Sequence, residues 1–517
     1  MNIKNTRSSK ILSSFRPDAL SGPLFLLMFF LRSNTLRFNI TCNYSVTELS
    51  ILDQFGQPSI HHSFQTFQHL LSGVVSKEKD KKAFLPADQA NGSFMIKEIR
   101  VEDWKSFESS TLYIDPLTVL IGTNASGKSN VLDALLFLNL SASSVPLNVI
   151  LQGDSNFPGL RGSIDWVCRS GTKQFALEVK ASGSNELIDY IYRLEVNIEG
   201  LPQIASESLR RVKYRPGAQA ISSDIFLFKT DDCGLDAPAI TARLYNRKQG
   251  KPRPSARQST ILSQLHPEAF SQNLSKDITE GVEAVIGALT SIFILDPIPS
   301  HMRNYAPLSK DLDSDAANMA GIIAALDVQQ KQHIEETLTK HVSLLPEKDI
   351  GRIYSETVGR FKSDAMLYCD ELWGDKKISV DARGMSDGTL RFLAILVALL
   401  TRPEHSLLVV EEIDNGLHPS RSNVLLSVLR SIGEQRHIDI LVTTHNPALL
   451  DSLGPEMTPF ITISHRDSET GHSRLTLLED LSKLPKLLAI GPVGTLSSQG
   501  KLEQALRQEQ VSGGIGQ

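Results

Sequence analysis

The chain has 517 residues, 41% of them hydrophobic, which is enough for two or three domains and a large buried core. Its formal net charge of −5 does not advertise a nucleic-acid binder, although a local basic face can sit inside a mildly acidic total. Cys42, Cys168, Cys233 and Cys369 have no paired spacing, which argues against a disulfide framework or a zinc site, and no apolar run reaches the length of a membrane helix.

In chain order, residues 1–93 mix polar, His-rich and charged segments, such as His61-His62 and the charge run at 77–82, without sustained periodicity. They are expected to form a loosely structured leader. Lys4, Arg7, Lys10 and Arg16 ahead of the apolar stretch 23–31 imitate a signal peptide, but no small-residue cleavage site follows. The nucleotide site described next needs cytosolic nucleotide, so a cytoplasmic location is expected, with Met95 as a second plausible start.

From Phe94 the texture changes. Residues 95–101 and 111–114 alternate as strands, and the apolar run 117–121 leads into Gly122-Thr123-Asn124-Ala125-Ser126-Gly127-Lys128-Ser129-Asn130, followed by a helical pattern at 131–136. Strand, glycine-bounded loop and helix in this order fit G-x-x-x-x-G-K-[ST], in which loop N–H groups wrap phosphates at a helix N-terminus. Gly122 and Gly127 allow the close backbone approach, Lys128 reaches the β- and γ-phosphates, and the Ser129 hydroxyl ligates magnesium, while Asn124 and Ser126 add small polar groups. ATP and Mg2+ are therefore the expected ligands.

Residues 163–167, 175–179 and 190–196 alternate and predict an antiparallel meander. Arg243, Arg247, Lys248, Lys251, Arg253 and Arg257 then crowd a stretch with no acid, read as a basic loop that could contact DNA or RNA, or a partner protein. Helical spacing at 278–289 and 316–341 brackets an apolar strand at 292–295 that is stopped by Pro297. This middle block is expected to be an insertion between two ATPase halves.

Three further landmarks follow. Gly384-Met385-Ser386-Asp387-Gly388-Thr389 feeds an apolar helix, with Ser386 where an N-cap belongs, so that its hydroxyl and the first free N–H groups would face an anion. The buried strand 407–410 runs into Glu411 and Glu412, a geometry that delivers one acid to magnesium and the next to an attacking water. The strand 438–442 ends in Thr443, Thr444 and His445, at the C-terminal edge where α/β sheets bind ligands.

This order of parts resembles the ABC-type ATPase heads, and within them the compact branch of RecF, the OLD proteins and cousins of the structural-maintenance-of-chromosomes heads. The resemblance covers residues 94–517. It implies an α/β head combining a mixed, largely parallel sheet with an antiparallel meander and an inserted middle lobe, without a long coiled coil. The divisions expected are 1–93, 94–240, 241–375 and 376–517. It makes residues 122–129 the Walker A loop, 385–388 the signature, Glu411 and Glu412 the Walker B pair, Leu417-His418-Pro419 the D-loop and His445 the switch histidine. Lys128, Glu412 and His445 become the catalytic set; Ser386 and Gly388 join the loop residues as nucleotide contacts.

Two departures matter: Glu411 where transporters carry aspartate, and Met-Ser-Asp-Gly-Thr in place of Leu-Ser-Gly-Gly-Gln. The family's glutamine loop has no secure place, with Gln152 and, for the family arginine, Arg161 as weak candidates. The resemblance also implies two copies sandwiching ATP. The tail beyond His445 has no clustered acids of a nuclease, only Glu479-Asp480, Glu503 and Glu509. The expected function is therefore an ATP-gated sensor or scaffold controlling a separate effector nuclease or toxin in anti-phage defence, with a RecF-like ATPase acting directly on DNA as the alternative.

Overall fold

The computed structural model describes residues 94–517, apart from 156, 235, 271–273, 346–349 and 514–517, together with a short pairing of Asn39–Ile40 with Ile51–Leu52. The leader and signal-peptide expectations otherwise lie outside the described residues. Residues 89–517 form one unit.

Among the described residues from 94 onward, three sheets form. The first is antiparallel and contains β1 (Ile96–Glu102), β2 (Ser109–Tyr113), β4 (Gln174–Ser182), β5 (Ile188–Asn197), β6 (Gln203–Arg215), β7 (Ala218–Thr230), β8 (Ala239–Leu244) and β9 (Lys251–Ala256), in the order β9-β8-β7-β6-β5-β4-β1-β2. The second carries the phosphate loop. It orders β10 (Ile292–Leu295), β15 (Leu407–Val410), β16 (Asp439–Thr444), β3 (Leu117–Ile121), β17 (Ile461–Arg466) and β18 (Ser473–Leu477), all parallel except the last. The third is small: β11 (Ala306–Pro307) and β14 (Lys376–Asp381) flank one side of β13 (Asp364–Trp373), and β12 (Ile350–Val358) the other.

Strand periodicity explains how the parallel sheet is held. Leu117, Val119, Ile121, Leu408, Val410, Ile440 and Val442 enter one core, shared with α8 (Asp387–Thr401) and α9 (Ser422–Arg436). Leu120, Leu407, Val409 and Leu441 point the other way, into a core shared with α1 (Lys128–Ala142), α4 (Lys276–Thr290) and the antiparallel sheet. In that second core Trp104, Phe137 and Phe175 meet edge to face at centroid separations of 4.9–5.6 Å, which pins α1 against the meander. The parallel sheet is thus clamped on both faces, and its strand ends are fixed relative to one another.

Several expectations are corrected. Residues 163–167 are not a strand; Ile164–Trp166 is a short 3-10 turn. The basic stretch is not a loop but the β8–β9 hairpin, the last member of the antiparallel sheet, so the division expected at 240 falls inside a strand. Its charge is also largely spent: Arg243 pairs with Asp231, Arg253 forks onto Glu268, and the Arg257 side chain is buried with its guanidinium on the carbonyls of Ile204, Gly234 and Ala237. Arg247, Lys248 and Lys251 are the members of the run left facing solvent. The helical pattern at 316–341 is two helices, α6 (Met319–Ala325) and α7 (Val328–Val342), because Asp327 caps a new N-terminus through Gln329 and Gln330. The strand expected inside an inserted lobe, β10, belongs to the parallel sheet and pairs with β15.

Candidate nucleotide site

The phosphate loop leaves β3 at Gly122, whose φ of +149° and crowded surroundings admit no side chain: a Cβ would stand 2.2 Å from the Ser464 carbonyl of β17. The neighbouring strand tethers the loop from outside. Ser464 Oγ donates to Ser126 O at 3.1 Å, and Arg466 Nε donates to Ala125 O at 2.9 Å. Thr123, Asn124 and Ala125 are exposed at the rim, and Ser126 is buried with its hydroxyl lacking a hydrogen-bond partner among the described residues. Lys128 opens α1 and folds back into the loop, donating to Gly122 O at 2.6 Å and Thr123 O at 3.1 Å. Burial lowers the Lys128 pKa, against the opposing pull of the Glu412 and Glu411 charges. Asn130 stands apart from the expected loop contacts. Its N–H is used by Gly127 O and its carboxamide donates to Ser106 Oγ, so its side chain anchors the helix instead of lining the loop.

Glu411 and Glu412 follow the C-terminal end of β15. Ser129 Oγ donates to Glu411 Oε1 at 3.0 Å. Arg161 reaches the same carboxylate at 3.3 Å while its Nε bonds Asp133 and its other nitrogen bonds Ser129 O, which places it beside Ser129 and Glu411. Lys105 completes the pairing of Asp133. Gln152 ends a short helix and is exposed.

Glu412 sits at φ +46°, a left-handed conformation that costs a side-chain-bearing residue about 1–2 kcal/mol. Two bonds to Thr443 of β16 hold it there: Glu412 N to Thr443 Oγ1 at 2.8 Å and Ile413 N to Thr443 O at 3.1 Å. The carboxylate is therefore turned out, 4.0 Å from His445 Nδ1, which is exposed at the end of the same strand.

Sequence reasoning missed Asp296. Register pairs Leu295 with Val410, and Glu411 N donates to Leu295 O, so Asp296 stands level with Glu411 at the edge of the sheet. Burial raises its pKa, and the charges of Glu411 and then Glu412 add to this, with Arg391 opposing between them. The rule that ligands gather at the C-terminal ends of parallel strands could have found it, had β10 been placed in this sheet.

Ser386 and Gly388 lie at the start of α8. Ser386 caps α8, accepting from Thr389 N at 3.1 Å, with its hydroxyl 2.8 Å from Thr389 Oγ1. Gly388 is buried where a Cβ would stand 2.7 Å from Gly416 O, so it lets the helix start touch the segment leading into Leu417-His418.

The donor set fits magnesium. Mg2+ takes oxygen ligands at 2.0–2.1 Å and is typically held by one or two carboxylates plus substrate phosphates; neighbouring ligands in such an octahedron lie about 2.9 Å apart. The Ser129 hydroxyl and Glu411 carboxylate, 3.0 Å apart beside the loop, match that requirement. Among the described residues no three His, Cys, Asp or Glu side chains converge as an all-protein metal cage.

Residues 95–199 match the family described as "AAA ATPase domain", and residues 298–451 the one described as "AAA domain, putative AbiEii toxin, Type IV TA system". The chain is 23% identical over 362 residues to the DNA replication and repair protein RecF of Staphylococcus haemolyticus, covering 68% of this chain and 92% of RecF. Two parts of the chain thus match AAA ATPase family models, and the chain is similar to RecF over most of RecF's length. Solved structures similar to this chain are an SMC head bound to the C-terminal winged-helix domain of ScpA (13% identity, TM-score 0.43, 74% of this chain and 97% of that one) and two others. One is the SMC head domain of Thermotoga maritima (15%, 0.33, 74% and 98%); the other is a Pyrococcus furiosus SMC head with an extended coiled coil, bound to the C-terminal domain of ScpA (12%, 0.40, 77% and 100%). ATP hydrolysis is the activity that the matched family descriptions suggest. Among the described residues no helix is long and apolar enough to cross a membrane.

Proposed function

We propose that the chain binds Mg-ATP in the loop at 122–129, pairs with a second copy around the nucleotide and hydrolyses it, so that ATP gates assembly. The observation that carries this is the convergence of Lys128, Ser129, Glu411, Glu412 and His445, from two strand ends and one helix start, at a single sheet edge. Lys128 would exchange its two loop carbonyls for phosphate oxygens, a charge-assisted contact stronger than the neutral ones it leaves. Ser129 and Glu411 would hold magnesium, which neutralises charge building on the transferred phosphoryl group. Glu412, held outward by Thr443, orients or deprotonates the attacking water, and His445 contacts the γ-phosphate. Ser386 of a second copy completes the site: a hydroxyl and helix N-terminus that bind the γ-phosphate give the closed pair an affinity that hydrolysis removes.

For the wider role, the toxin–antitoxin wording of the matched family supports an ATP-gated sensor or scaffold that controls a separate effector in anti-phage defence. The RecF relative supports a second reading, direct action on DNA. One experiment separates them: turnover of the full chain with and without duplex DNA, for the parent and for the triple Arg247→Ser, Lys248→Ser, Lys251→Ser. Under the sensor reading DNA leaves turnover unchanged. A DNA stimulation abolished by the triple substitution would replace it with the repair reading.

A further inference from the structure

The signature of this chain carries a charge where the family pattern carries glycine. Asp387 follows Ser386 directly, at the first position of α8, with its side chain 64% exposed. Resting on the pairing proposed above, that carboxylate would come close to the triphosphate of the partner's nucleotide. A like charge at that point opposes the contact that Ser386 and the helix N-terminus make.

Arg303 meets this charge. It follows α5 (Pro299–Met302) and sends one guanidinium nitrogen to Met385 O at 2.8 Å and to Asp387 Oδ1 at 2.6 Å, bonding the residues on both sides of Ser386. The turn beneath is fixed independently by Gly384 N on Asp381 O and Met385 N on Ala382 O, with Met385 buried. Arg303 is therefore not needed to form the turn; it closes over its outer side. The segment that brings it there begins at Asp296, beside Glu411, and passes through Pro297 and Pro299, while Ile298 N bonds Asp315 O and His301 bonds the Asp315 carboxylate. A short, doubly anchored strut thus links the edge of the parallel sheet to the signature turn.

We infer that Arg303 is a positioning residue for the signature: it neutralises Asp387 and fixes the carbonyl before Ser386, so that this acidic variant of the motif can approach the nucleotide of a second copy. Arg303 bonds Met385 and Asp387, the residues on either side of Ser386, and acts through them.

The test compares the parent chain, Arg303→Ala, Arg303→Lys, Asp387→Asn and the double variant Arg303→Ala/Asp387→Asn. Binding of a fluorescent ATP analogue is measured at protein concentrations where chains stay apart, and association is measured by sedimentation velocity with Mg2+ and a non-hydrolysable ATP analogue. Arg303→Ala should bind nucleotide within about twofold of the parent but associate about tenfold or more weakly, the scale of a lost charge-assisted contact. Arg303→Lys should recover part of this, Asp387→Asn should associate at least as tightly as the parent, and the double variant should associate more tightly than Arg303→Ala. Association of Arg303→Ala equal to the parent would overturn the inference, as would a double variant no better than Arg303→Ala. A parent chain that binds the analogue yet stays monomeric would instead overturn the pairing itself. Asp387→Asn and Arg303→Lys keep the test decisive if Arg303→Ala folds poorly.

Discussion

Glu412 offers the sharpest separation between what holds the fold and what performs the chemistry. Its carboxylate is turned to solvent beside His445, while its backbone is held at φ +46° by Thr443. Glu412→Gln preserves shape and the backbone bonds, so stability should be unchanged, yet a base of this kind is worth roughly 10²–10⁴ in rate, or about 3–5 kcal/mol of barrier. Glu412→Gly makes the complementary prediction. It removes about 1–2 kcal/mol of left-handed strain and adds about 0.5–1 kcal/mol of unfolded-state entropy, so the net effect should be neutral to slightly stabilising. Phosphate release reads the first quantity, nucleotide titration confirms that ATP still binds, and a thermal unfolding scan of both variants reads the second. Turnover of Glu412→Gln within tenfold of the parent would refute the assignment. Destabilisation of Glu412→Gly by more than about 1 kcal/mol would show that the carboxylate serves the fold.

Arg466→Ala removes the bond from β17 to the apex of the phosphate loop, Nε to Ala125 O, along with that from NH1 to Gly471 O. Because Arg466 is exposed, unfolding temperature should hardly move, while ATP affinity falls about 5- to 30-fold as the loop loses its external tether; unchanged affinity in a nucleotide titration would count against this. At the opposite end of the sheet Asp439 is buried, and burial, aided by the charge of Asp115, pushes its pKa up to about 7. The sign is fixed by linkage: a raised folded pKa means stability that is present below the unfolded value and lost as pH rises through the folded one. Asp439→Asn should therefore gain on the parent progressively from about pH 4 to about pH 7 and hold a constant advantage above, on the order of 2–4 kcal/mol. Parallel denaturation curves at pH 5, 7 and 8.5 check it, and an advantage that shrinks with rising pH would contradict it.

The loop at 122–129, the paired glutamates and His445 were legible because each is announced by local chemistry: a glycine-bounded turn, or a buried strand running into polar groups. The supports were not. Ser464 and Arg466 hold the loop from a strand more than three hundred residues further along the chain, and only the register of β17 against β3 brings them there. Asp296 and Arg303 were hidden for a related reason. The strand that precedes them, β10, is four residues long, and nothing in its own pattern distinguishes an edge of the central sheet from part of an insertion. Arg161 shows the middle case, a residue suggested by resemblance and brought to Glu411 by the turn just ahead of residues 163–167, where a strand was expected and a 3-10 turn is found. The basic run misled in the opposite direction, since the acids that answer it, Asp231 and Glu268, lie outside the run itself.

The claim on which the rest depends is that each chain carries half of two sites, Lys128 of one copy working with Ser386 of the other. Mixing separately purified Lys128→Ala and Ser386→Ala chains measures this most directly. Either variant alone leaves no intact site, whereas in a two-fold pair a mixed dimer rebuilds one of its two. ATP turnover should appear on mixing and approach about a quarter of the parent's, given random pairing and independent sites. Two inactive variants that stay inactive together, while each still binds a parent chain, would contradict it.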